Sequence, residues 1–319
     1  RLEPLYTALK IQKGQLEAIT GIRERRYWDP GFRMSTGAAR AALKAIDAAA
    51  VPRDRIGMLI YGAVCRENLE PASACAVAYA LGLPAEALIY DVSNACLGVL
   101  NGMVDVANAI ELGQVQAGLV VACESAREIV DLTIERLNRE KSMDVLRKTV
   151  ATLTGGSGAV AVLLAAAELT PGGHRLLGGV GRSAPEHHRL CVWGPDTGVP
   201  GGRSHMAETD SVRVLQNGVA LGLATFRDFH RALALPEGQP DKVICHQVGA
   251  THQRTILDGI GIPPERDFTT FRHLGNIGTV SLPITAAIAA EHGFLQAGDV
   301  VGFLGIGSGL NCLMLGIDW

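Results

Sequence analysis

The chain has 319 residues, of which 48% are hydrophobic and 19% charged, and its formal net charge is -3 at pH 7. Such a composition supplies enough apolar side chains for one large domain or for two of ordinary size. The charge balance gives no reason to expect a nucleic acid or an anionic membrane as a partner. No signal peptide is visible and the longest apolar runs are about half as long as a membrane-spanning helix, so we predict a cytoplasmic protein without a membrane span.

The elements predicted along the chain alternate between strand and helix, which is typical of an α/β protein. Helical periodicity is clearest over 97–110, from about residue 250, and over 284–292. The charged segment 125–150 is predicted to be helical and the segment 193–203, rich in glycine and proline, to be a loop. Apolar runs predict strands at 56–64, 117–123, 159–164, 242–246, 300–304 and 310–317.

A repeated pattern suggests that the chain consists of two similar halves. Residues 156–164 read GSGAVAVLL and residues 307–315 read GSGLNCLML, 151 positions further on. Both are typical of a glycine turn that leads into a buried strand, although such turns are common enough for a chance likeness. We therefore predict an N-terminal half at 1–168 and a C-terminal half at 169–319, packed as one body.

The cysteine pattern predicts neither a disulfide framework nor a metal site. The seven cysteines are odd in number and include no CxxC pair. His187, His188 and Cys191 carry side chains that bind zinc, but no second pair of ligands stands near them in the sequence. The glycines of 305–309 lack the GxGxxG spacing, and no GxxxxGK run is present, so dinucleotide and P-loop sites are not predicted either.

The sequence DVSNACLG at 91–98 places a single cysteine, Cys96, where a strand is predicted to turn into a helix. Ser93 or Asn94 is predicted to cap this helix. The free N–H groups and the positive end of the helix dipole favour a thiolate at such a position and can also bind an oxyanion. Cys96 is thus a candidate nucleophile, whereas composition alone favours a small core residue.

Two further polar residues stand at the ends of predicted elements. His246 ends a predicted strand in ICHQ, and Asn276 lies between glycines in LGNIG. Each is ordinary by itself, since a histidine at a strand end is usually structural and asparagine beside glycine is common in turns. A cysteine with a histidine and an asparagine elsewhere in the chain is nevertheless a candidate set for nucleophilic catalysis.

These three motifs, in this order and at this spacing, resemble the ketosynthase III branch of the thiolase superfamily over nearly the whole chain. Cys96 in DVSNACLG, His246 in ICHQ and Asn276 in GNIGTVSLP fall in register with the glycine turn at 305–310. The resemblance implies a duplicated, five-layered α-β-α-β-α fold and a homodimer. Chains of this family begin with a further strand ahead of the segment that resembles residues 1–21.

The resemblance also implies a reaction on thioesters. Cys96 would accept an acyl group, and the α-carbon of a second thioester would attack that group in a Claisen condensation. Backbone N–H groups of Cys96 and Ser308 would form the oxyanion hole, while His246 and Asn276 would hold the thioester oxygen of the second substrate. Acyl-CoA thioesters would be the substrates, with no cofactor.

Glu70 directs the prediction to one branch of the family. It lies in a Leu-Glu-Pro sequence, 26 residues before Cys96. In the OleA-type head-to-head acyl-condensing enzymes, a glutamate in this place enters the partner subunit's active site, where a base is expected because condensing two ordinary acyl chains requires removal of an α-proton. Taken alone, a glutamate before proline is more often an exposed loop residue.

The resemblance to the OleA-type enzymes implies a specific reaction. Two long-chain acyl-CoA molecules would condense without decarboxylation to a 2-alkyl-3-oxo acid, the first step of long-chain olefin or ketone biosynthesis. Arg26 and Trp28 lie where the family receives the nucleotide end of CoA, although the charges around them also suit a solvated loop. Met103 and Met206 are predicted to shape the acyl pocket. Thr251 replaces a basic residue of the priming enzymes, which favours CoA over an acyl carrier protein as the donor.

Two other functions stay open on the sequence. One is a decarboxylating 3-oxoacyl-ACP synthase III, which would depend on a malonyl thioester to prime fatty-acid or polyketide synthesis. The other is a non-catalytic dimer partner resembling a chain-length factor, against which the retention of Cys96, His246 and Asn276 argues. An acyl carrier protein and downstream pathway enzymes stay open as partners, and acyl chain length and branching depend on packing that the sequence does not show.

Overall fold

The computed structural model describes residues 3–194 and 207–319 of the chain. Its strands are β1 (Ile56–Tyr61), β2 (Leu88–Asp91), β3 (Ala117–Glu124), β4 (Gly158–Ala165), β5 (Arg175–Ser183), β6 (Cys191–Trp193), β7 (Ala207–Thr209), β8 (Lys242–Cys245), β9 (Val300–Gly307) and β10 (Asn311–Asp318). Its helices are α1 (Glu3–Leu9), α2 (Gln15–Thr20), α3 (Met34–Ala49), α4 (Ser73–Leu81), α5 (Gly98–Glu111), α6 (Arg127–Glu140), α7 (Met143–Thr149), α8 (Ser211–Ala232), α9 (Ala250–Ile260), α10 (Phe271–Leu274) and α11 (Ser281–Glu291).

Two sheets of four strands have the same arrangement at their centres. The first has the order β2-β1-β3-β4 and the second the order β5-β10-β9-β8. In both, a parallel pair (β1 with β3, β8 with β9) is followed by an antiparallel strand (β4, β10). The two GSG turns stand in equivalent places, because Gly158 begins β4 and Gly309 lies two residues before β10. All strands of the first sheet fall within 1–168 and all strands of the second within 169–319.

The helices complete a stack of five layers. Helices α3 and α4 cover one face of the first sheet, α5 and α11 lie between the two sheets, and α8 covers the second sheet together with α9. The middle layer is packed closely: a Cβ atom at Gly102 of α5 would lie 2.6 Å from Val120 of β3. On the other side of α5, a Cβ atom at Gly305 of β9 would meet the side chain of Leu100. The predicted α-β-α-β-α fold is therefore confirmed.

The apolar runs form strands because both faces of each sheet are covered. Every residue of β3 is buried, so this strand needs a continuous apolar run and not the alternation of a half-exposed strand. The main core extends through the middle layer into the second sheet, where Ile244 and Phe303 belong to the same cluster as Leu119 and Val120. Burial on this scale fixes the carboxyl ends of β8 and β9 relative to the start of α5.

The charged segment 125–150 forms α6 and α7, as predicted, and has a core of its own. Ile129, Leu137 and Leu146 pack with Leu5 of α1 and Leu16 of α2 in a cluster separate from the main core. The charged residues of the segment face outward, as expected for an amphipathic pair of helices. Of the predicted loop at 193–203, residues 195–203 lie outside the described part of the chain.

Candidate active site

Cys96 lies in a tight turn that ends directly at α5. The 3-10 turn Ala95–Leu97 begins with Ala95 at φ 46°, a left-handed conformation that few residues other than glycine adopt. The turn is pressed against the end of β1, since a Cβ atom at Gly98 would overlap the carbonyl oxygen of Gly62. The result is a partly exposed cysteine side chain at the N-terminal end of a buried helix.

The predicted cap of this helix is wrong. Neither Ser93 nor Asn94 accepts a hydrogen bond from the first turn of α5; the side chain of Asn94 instead donates to Asn101 Oδ1 at 2.8 Å and accepts from Asn311 Nδ2 at 3.0 Å. The N–H of Val99 donates to Thr279 Oγ1 at 2.8 Å, across 180 positions of sequence. The capping residue therefore comes from the Gly278–Val280 turn, which follows Asn276.

The end of β9 lies beside the backbone of Cys96. A Cβ atom at Gly307 would be 3.2 Å from Leu97 Cγ and 3.4 Å from the nitrogen of Cys96, so the two segments are in direct contact. Ser308 follows at once, and its carbonyl oxygen accepts a long hydrogen bond of 3.5 Å from Asn311 Nδ2. The peptides of Cys96 and Ser308 are thereby brought to one place, while their role in an oxyanion hole stays a prediction.

His246 stands at the end of β8, next to the same strand. Its backbone N–H donates to Leu304 O of β9 at 3.1 Å, three residues before Gly307. Its ring nitrogen Nδ1 is buried and has no hydrogen-bond partner among the described residues. Burial lowers the pKa of His246 to about 4, and the nearby His252 lowers it further in the same direction. The imidazole is therefore neutral at pH 7, which suits a hydrogen-bond donor.

The amide of Asn276 has a fixed orientation. Its Oδ1 accepts hydrogen bonds from the N–H of Gly278 at 3.0 Å and from Ser281 Oγ at 3.4 Å. Its backbone N–H donates to Thr154 O at 3.0 Å, which ties the turn to the segment before β4. With the oxygen engaged by a backbone donor, the amide presents Nδ2 as its free donor.

The protonation of Cys96 differs from the expectation for a helix end. Burial raises the pKa of the thiol to about 12, and Cys191 and Glu124 raise it in turn. Desolvation disfavours the charged form more than the helix end favours it, so the free enzyme holds a neutral thiol at pH 7. Neither Cys191 nor Glu124 was predicted to lie near Cys96, because nothing in the local sequence around either residue indicates it.

Glu70 lies on the surface of the chain. Its side chain is exposed and makes no hydrogen bond or ion pair with the described residues, and it is not among the groups that shift the pKa of Cys96. The loop that carries it is nevertheless anchored: the N–H groups of Ser73 and Ala74 both donate to the carboxylate of Asp91 at 2.9 Å. Asp91 opens the DVSNACLG motif, so the Glu70 loop and the Cys96 turn share one anchor.

Large apolar side chains are exposed in the Glu70 loop and on the two elements that follow it, α4 and β2. Leu69 is 65% exposed, Tyr79 of α4 is 90% exposed and Leu88 of the edge strand β2 is 51% exposed. Large apolar side chains at this exposure are common singly, but their occurrence on successive elements, one of them the edge strand β2, is typical of an interface. In the single chain, Glu70 is therefore separate from the active site in which it is predicted to act.

The segment that carries Arg26 and Trp28 lies against the Asn276 side of the site. The N–H of Arg23 donates to Arg272 O at 2.8 Å, and the carbonyl oxygen of Arg26 accepts from Ser157 N at 2.8 Å. The side chain of Arg26 is exposed and pairs with Glu24 at 3.2 Å. A surface cleft of about 300 Å³ opens beside this segment and is lined by Lys13, Thr20, Arg23, Arg25 and Thr154, among others.

The other predicted substrate residues are placed less favourably for contact. Trp28 is tied into the body of the protein, since its Nε1 donates to Glu124 O at 3.1 Å and its ring stacks on Phe32 at 4.3 Å. Met103 is buried in the main core with 4% exposure. Met206 lies outside the described residues. Contact of these residues with substrate stays a prediction.

Two kinds of feature are absent from residues 3–194 and 207–319. No three side chains of histidine, cysteine, aspartate or glutamate come together in a way that would hold a metal ion. No helix in these two ranges combines the length and the apolar character needed to cross a bilayer.

Two family models match the chain. The model described as thiolase, N-terminal domain, matches residues 32–143, and the model described as 3-oxoacyl-(acyl-carrier-protein) synthase III C terminal matches residues 231–319. Together with the duplicated five-layered fold and the cysteine at the start of α5, these matches define the class. The protein is a thiolase-fold condensing enzyme of the ketosynthase III type, and hence an acyltransferase.

Individual relatives show to which branch of this class the chain belongs. The chain is 51% identical over 323 residues to the acyl-CoA:acyl-CoA alkyltransferase of Shewanella oneidensis, which covers 100% of this chain and 92% of the relative. It is 37% identical over 320 residues to the protein of the same name from Xanthomonas campestris, with the same coverage. The chain therefore belongs to the OleA family of acyl-CoA:acyl-CoA alkyltransferases, which confirms the predicted branch.

Solved structures of Xanthomonas campestris OleA agree with this assignment. One of them, with bound lauric acid and lauroyl-CoA, matches with a TM-score of 0.92 at 36% sequence identity and covers 100% of this chain and 92% of that chain. Another, bound to cerulenin, has the same TM-score and identity and covers 100% of this chain and 90% of that chain. More distant relatives include β-ketoacyl-(acyl-carrier-protein) synthase III 1 of Bacillus cereus, at 26% identity over 300 residues, covering 94% of this chain and 88% of the relative.

Proposed function

We propose that this protein condenses two long-chain acyl-CoA molecules head to head, without decarboxylation, to a 2-alkyl-3-oxo acid. The observation that carries the proposal is the Cys96 turn of an OleA-family fold, which lies against the end of β9, the strand that Ser308 follows and to which the backbone of His246 is hydrogen-bonded. The enzyme works in the cytoplasm, without a resident cofactor, and opens a pathway to long-chain olefins or ketones.

In the first half-reaction, the sulfur of Cys96 attacks the carbonyl carbon of one acyl-CoA. The tetrahedral oxyanion is bound by the N–H groups of Cys96 and Ser308, which the close approach at Gly307 brings together. The bond from carbon to the CoA sulfur breaks, and the thiol proton leaves with CoA. Because the neutral thiol has a raised pKa, the attack depends on loss of that proton as the thioester binds.

In the second half-reaction, the α-carbon of a second acyl-CoA loses a proton and attacks the acyl group on Cys96. Negative charge builds on the thioester oxygen of this second substrate, where His246 and the Nδ2 group of Asn276 donate hydrogen bonds. A neutral histidine fits this role, because its ring N–H donates a hydrogen bond while the ring itself carries no extra proton. The new carbon–carbon bond releases the Cys96 sulfur, and water then cleaves the remaining thioester to the acid and a second CoA.

The base for this step is Glu70 of the partner subunit in a homodimer. Glu70 is exposed on its own chain and unpaired among the described residues, and we propose that it shares one face with the exposed side chains of Leu69, Tyr79 and Leu88. Pairing two such faces buries the apolar side chains and carries each Glu70 toward the neighbouring site.

The nucleotide end of CoA binds along the segment of Arg23, Arg25 and Arg26. The side-chain stem of Arg25 lies beside the Asn276 turn, since its Cγ is 3.1 Å from where a Cβ atom of Gly275 would be. Arginine recognises phosphate groups well because its planar donors match phosphate oxygens. CoA is thus the donor, and an acyl carrier protein is not required.

The test is release of free CoA from a single substrate. Purified protein with myristoyl-CoA alone should release CoA over many turnovers and form a 2-alkyl-3-oxo acid that mass spectrometry identifies. A Cys96→Ala variant should release none above background. Strict dependence on a malonyl thioester would instead establish a decarboxylating ketosynthase III, and absence of an acyl adduct on Cys96 would leave only a non-catalytic partner.

A further inference from the structure

Glu124, the last residue of β3, is a buried carboxylate in the middle of the site. Its side chain is 4% exposed. Oε1 accepts a hydrogen bond from the N–H of Val64 at 3.0 Å, and Oε2 accepts one from the N–H of Cys65 at 3.0 Å. The backbone of Thr279 donates a further hydrogen bond to the same carboxylate. Three backbone donors from two separate segments therefore converge on one side chain.

The segments that Glu124 joins both lead to proposed catalytic residues. Val64 and Cys65 begin the loop that reaches Glu70 five residues later. Thr279 lies three residues after Asn276, and its side chain caps α5, the helix that begins beside Cys96. One carboxylate is thus bonded to the Glu70 loop and to the Asn276 turn, and through that turn it is connected to the start of α5.

The surroundings leave Glu124 little freedom to move. The Tyr61 hydroxyl donates to Cys65 O at 2.6 Å and lies 3.1 Å from Cys123 O, which holds the same loop from its other side. A Cβ atom at Gly278 would stand 3.0 Å from Oε1 of Glu124, so the turn passes directly over the carboxylate. A glutamine of the same shape would turn an NH2 group toward a backbone N–H, because an amide has a single acceptor oxygen.

We infer that Glu124 is a positioning residue, whose carboxylate holds the Glu70 loop and the Asn276 turn in the register that condensation requires. The inference rests on the proposed function, in which Glu70 and Asn276 act on the second substrate and not on acylation. Glu124 itself touches no reacting atom. Its removal should therefore impair condensation far more than transfer of the first acyl group to Cys96.

The charge of Glu124 provides an independent readout. The titratable groups that face it are Cys96, Cys65, Cys123 and Tyr61, and its negative charge raises the pKa of each of them. A Glu124→Gln variant removes this charge and so favours the thiolate of Cys96. The Cys96 thiol should become more reactive at a given pH while the enzyme becomes a poorer condensing catalyst, a combination that loss of structure does not produce.

The experiment compares Glu124→Gln with Glu67→Gln as a matched control. Glu67 lies in the same loop and also accepts a backbone hydrogen bond, from Ser35 N at 2.8 Å, but it pairs with Arg33 at 2.9 Å and is not among the groups that raise the pKa of Cys96. In Glu124→Gln, the burst of CoA release from acylation should persist while steady-state product formation falls about tenfold or more. The pH profile of iodoacetamide alkylation at Cys96 should shift to lower pH. Glu67→Gln should show neither change.

Several results would overturn the inference. An equal loss of the CoA burst and of the steady-state rate would show that Glu124 has only a structural role. A pH profile of alkylation that does not shift would show that the charge of Glu124 does not act on Cys96. Mass spectrometry detects unfolding, because Cys123, Cys245 and Cys312 are buried and react only if the protein opens.

If Glu124→Gln does not fold, Glu124→Asp replaces it in the test. Aspartate keeps the negative charge but has a shorter side chain, so condensation should fall while the alkylation profile stays unchanged. Full condensation activity in Glu124→Asp would refute the role of Glu124. If wild-type protein releases no CoA from acyl-CoA alone, the proposed function fails, while the alkylation profile still tests the link from Glu124 to Cys96.

Discussion

At the scale of single residues, burial decides the chemistry of the site. Cys96 and His246 both carry pKa values displaced toward the neutral form, to about 12 and about 4, with desolvation as the first cause in each case. A neutral thiol is protected from adventitious alkylation and oxidation until substrate arrives, since the thiolate is the reactive form. A neutral imidazole keeps one N–H donor available over the whole physiological range of pH.

Glu70→Ala tests the division of labour between the two half-reactions. Acylation of Cys96 by myristoyl-CoA should persist, because only formation of the carbanion needs the base, while condensed product should fall about a hundredfold or more. The adduct on Cys96 is read by intact-protein mass spectrometry and the product by chromatography. Glu111→Ala, at an exposed glutamate at the end of α5, serves as the control and should change neither quantity. Loss of acylation in Glu70→Ala would contradict the role of this residue.

The buried histidine predicts a pH dependence of stability. The folded pKa of His246 lies below the ordinary value of 6.5, so its neutral form stabilises the fold above that pH, and this contribution is lost as pH falls from 6.5 toward about 4. A shift of this size corresponds to at most about 3 kcal/mol in the free energy of unfolding. Urea unfolding at pH 7 and pH 4.5 should show a smaller decline for His246→Asn than for the wild type.

The test is the difference in the pH dependence of stability between His246→Asn and the wild type, and not the pH profile of either protein alone. Burial raises the pKa of Asp267 to about 7, and the stabilisation from its protonated form is present at low pH and lost as pH rises through that value. In the pH profile of one protein, the contributions of Asp267 and His246 to stability therefore change in opposite directions. Asp267 is present in both the wild type and the variant, so its contribution cancels when one profile is subtracted from the other. An equal decline in both proteins would show that His246 does not contribute.

At the scale of elements, α5 and its turn are held by close backbone approach. Predicted strands at 56–64, 117–123 and 159–164 form β1, β3 and β4 with ends that differ by a few residues, because long apolar runs suit strands buried on both faces. The sequence analysis did not identify β5, α3, α4 or α8. Strand β5 shows why: its burial alternates weakly at a sheet edge and it holds several glycines, so its pattern is typical of a loop.

Gly98→Ala tests the contact that positions the turn. An added methyl group would overlap the carbonyl oxygen of Gly62, and backbone at both sides has nowhere to move, so the free energy of unfolding should fall by at least about 3 kcal/mol. Gly222→Ala in α8 is the matched control, because its added methyl group would meet only Ile256 Cδ1 at 3.0 Å, the flexible end of a side chain. Thermal unfolding and acylation of Cys96 measure both variants. An undisturbed Gly98→Ala would refute the packing of this turn.

At the scale of the whole molecule, the site is proposed to be complete only in the dimer. In the single chain, Glu70 and Tyr79 are exposed, while Cys96 lies at the start of the buried helix α5. The proposed dimer accounts for the exposure of both residues, because its interface would cover them. The division of each chain into halves at residue 168 stays a prediction, although the two sheets separate near that point.

Mixed dimers test this arrangement directly. Glu70→Ala and Cys96→Ala proteins, each inactive in condensation, should regain activity when their subunits exchange, because one site of each mixed dimer then holds both residues. When equal amounts of the two proteins exchange subunits at random, half of the dimers are mixed. Each mixed dimer has one intact site of its two, so about a quarter of the wild-type rate is expected. Fluorescence energy transfer between labelled subunits confirms exchange. No recovery after confirmed exchange would place Glu70 on its own subunit's site.

The sequence by itself determined the family, the order of Cys96, His246 and Asn276, and most buried strands. These depend on short motifs and on apolar periodicity, which are local properties of the chain. The tertiary structure alone decided that Thr279 caps α5, that Cys191 and Glu124 lie near Cys96, and that the thiol of Cys96 is neutral in the free enzyme. Capping and pKa depend on burial and on contacts between residues far apart in sequence, and those arise only when the two sheets close around α5.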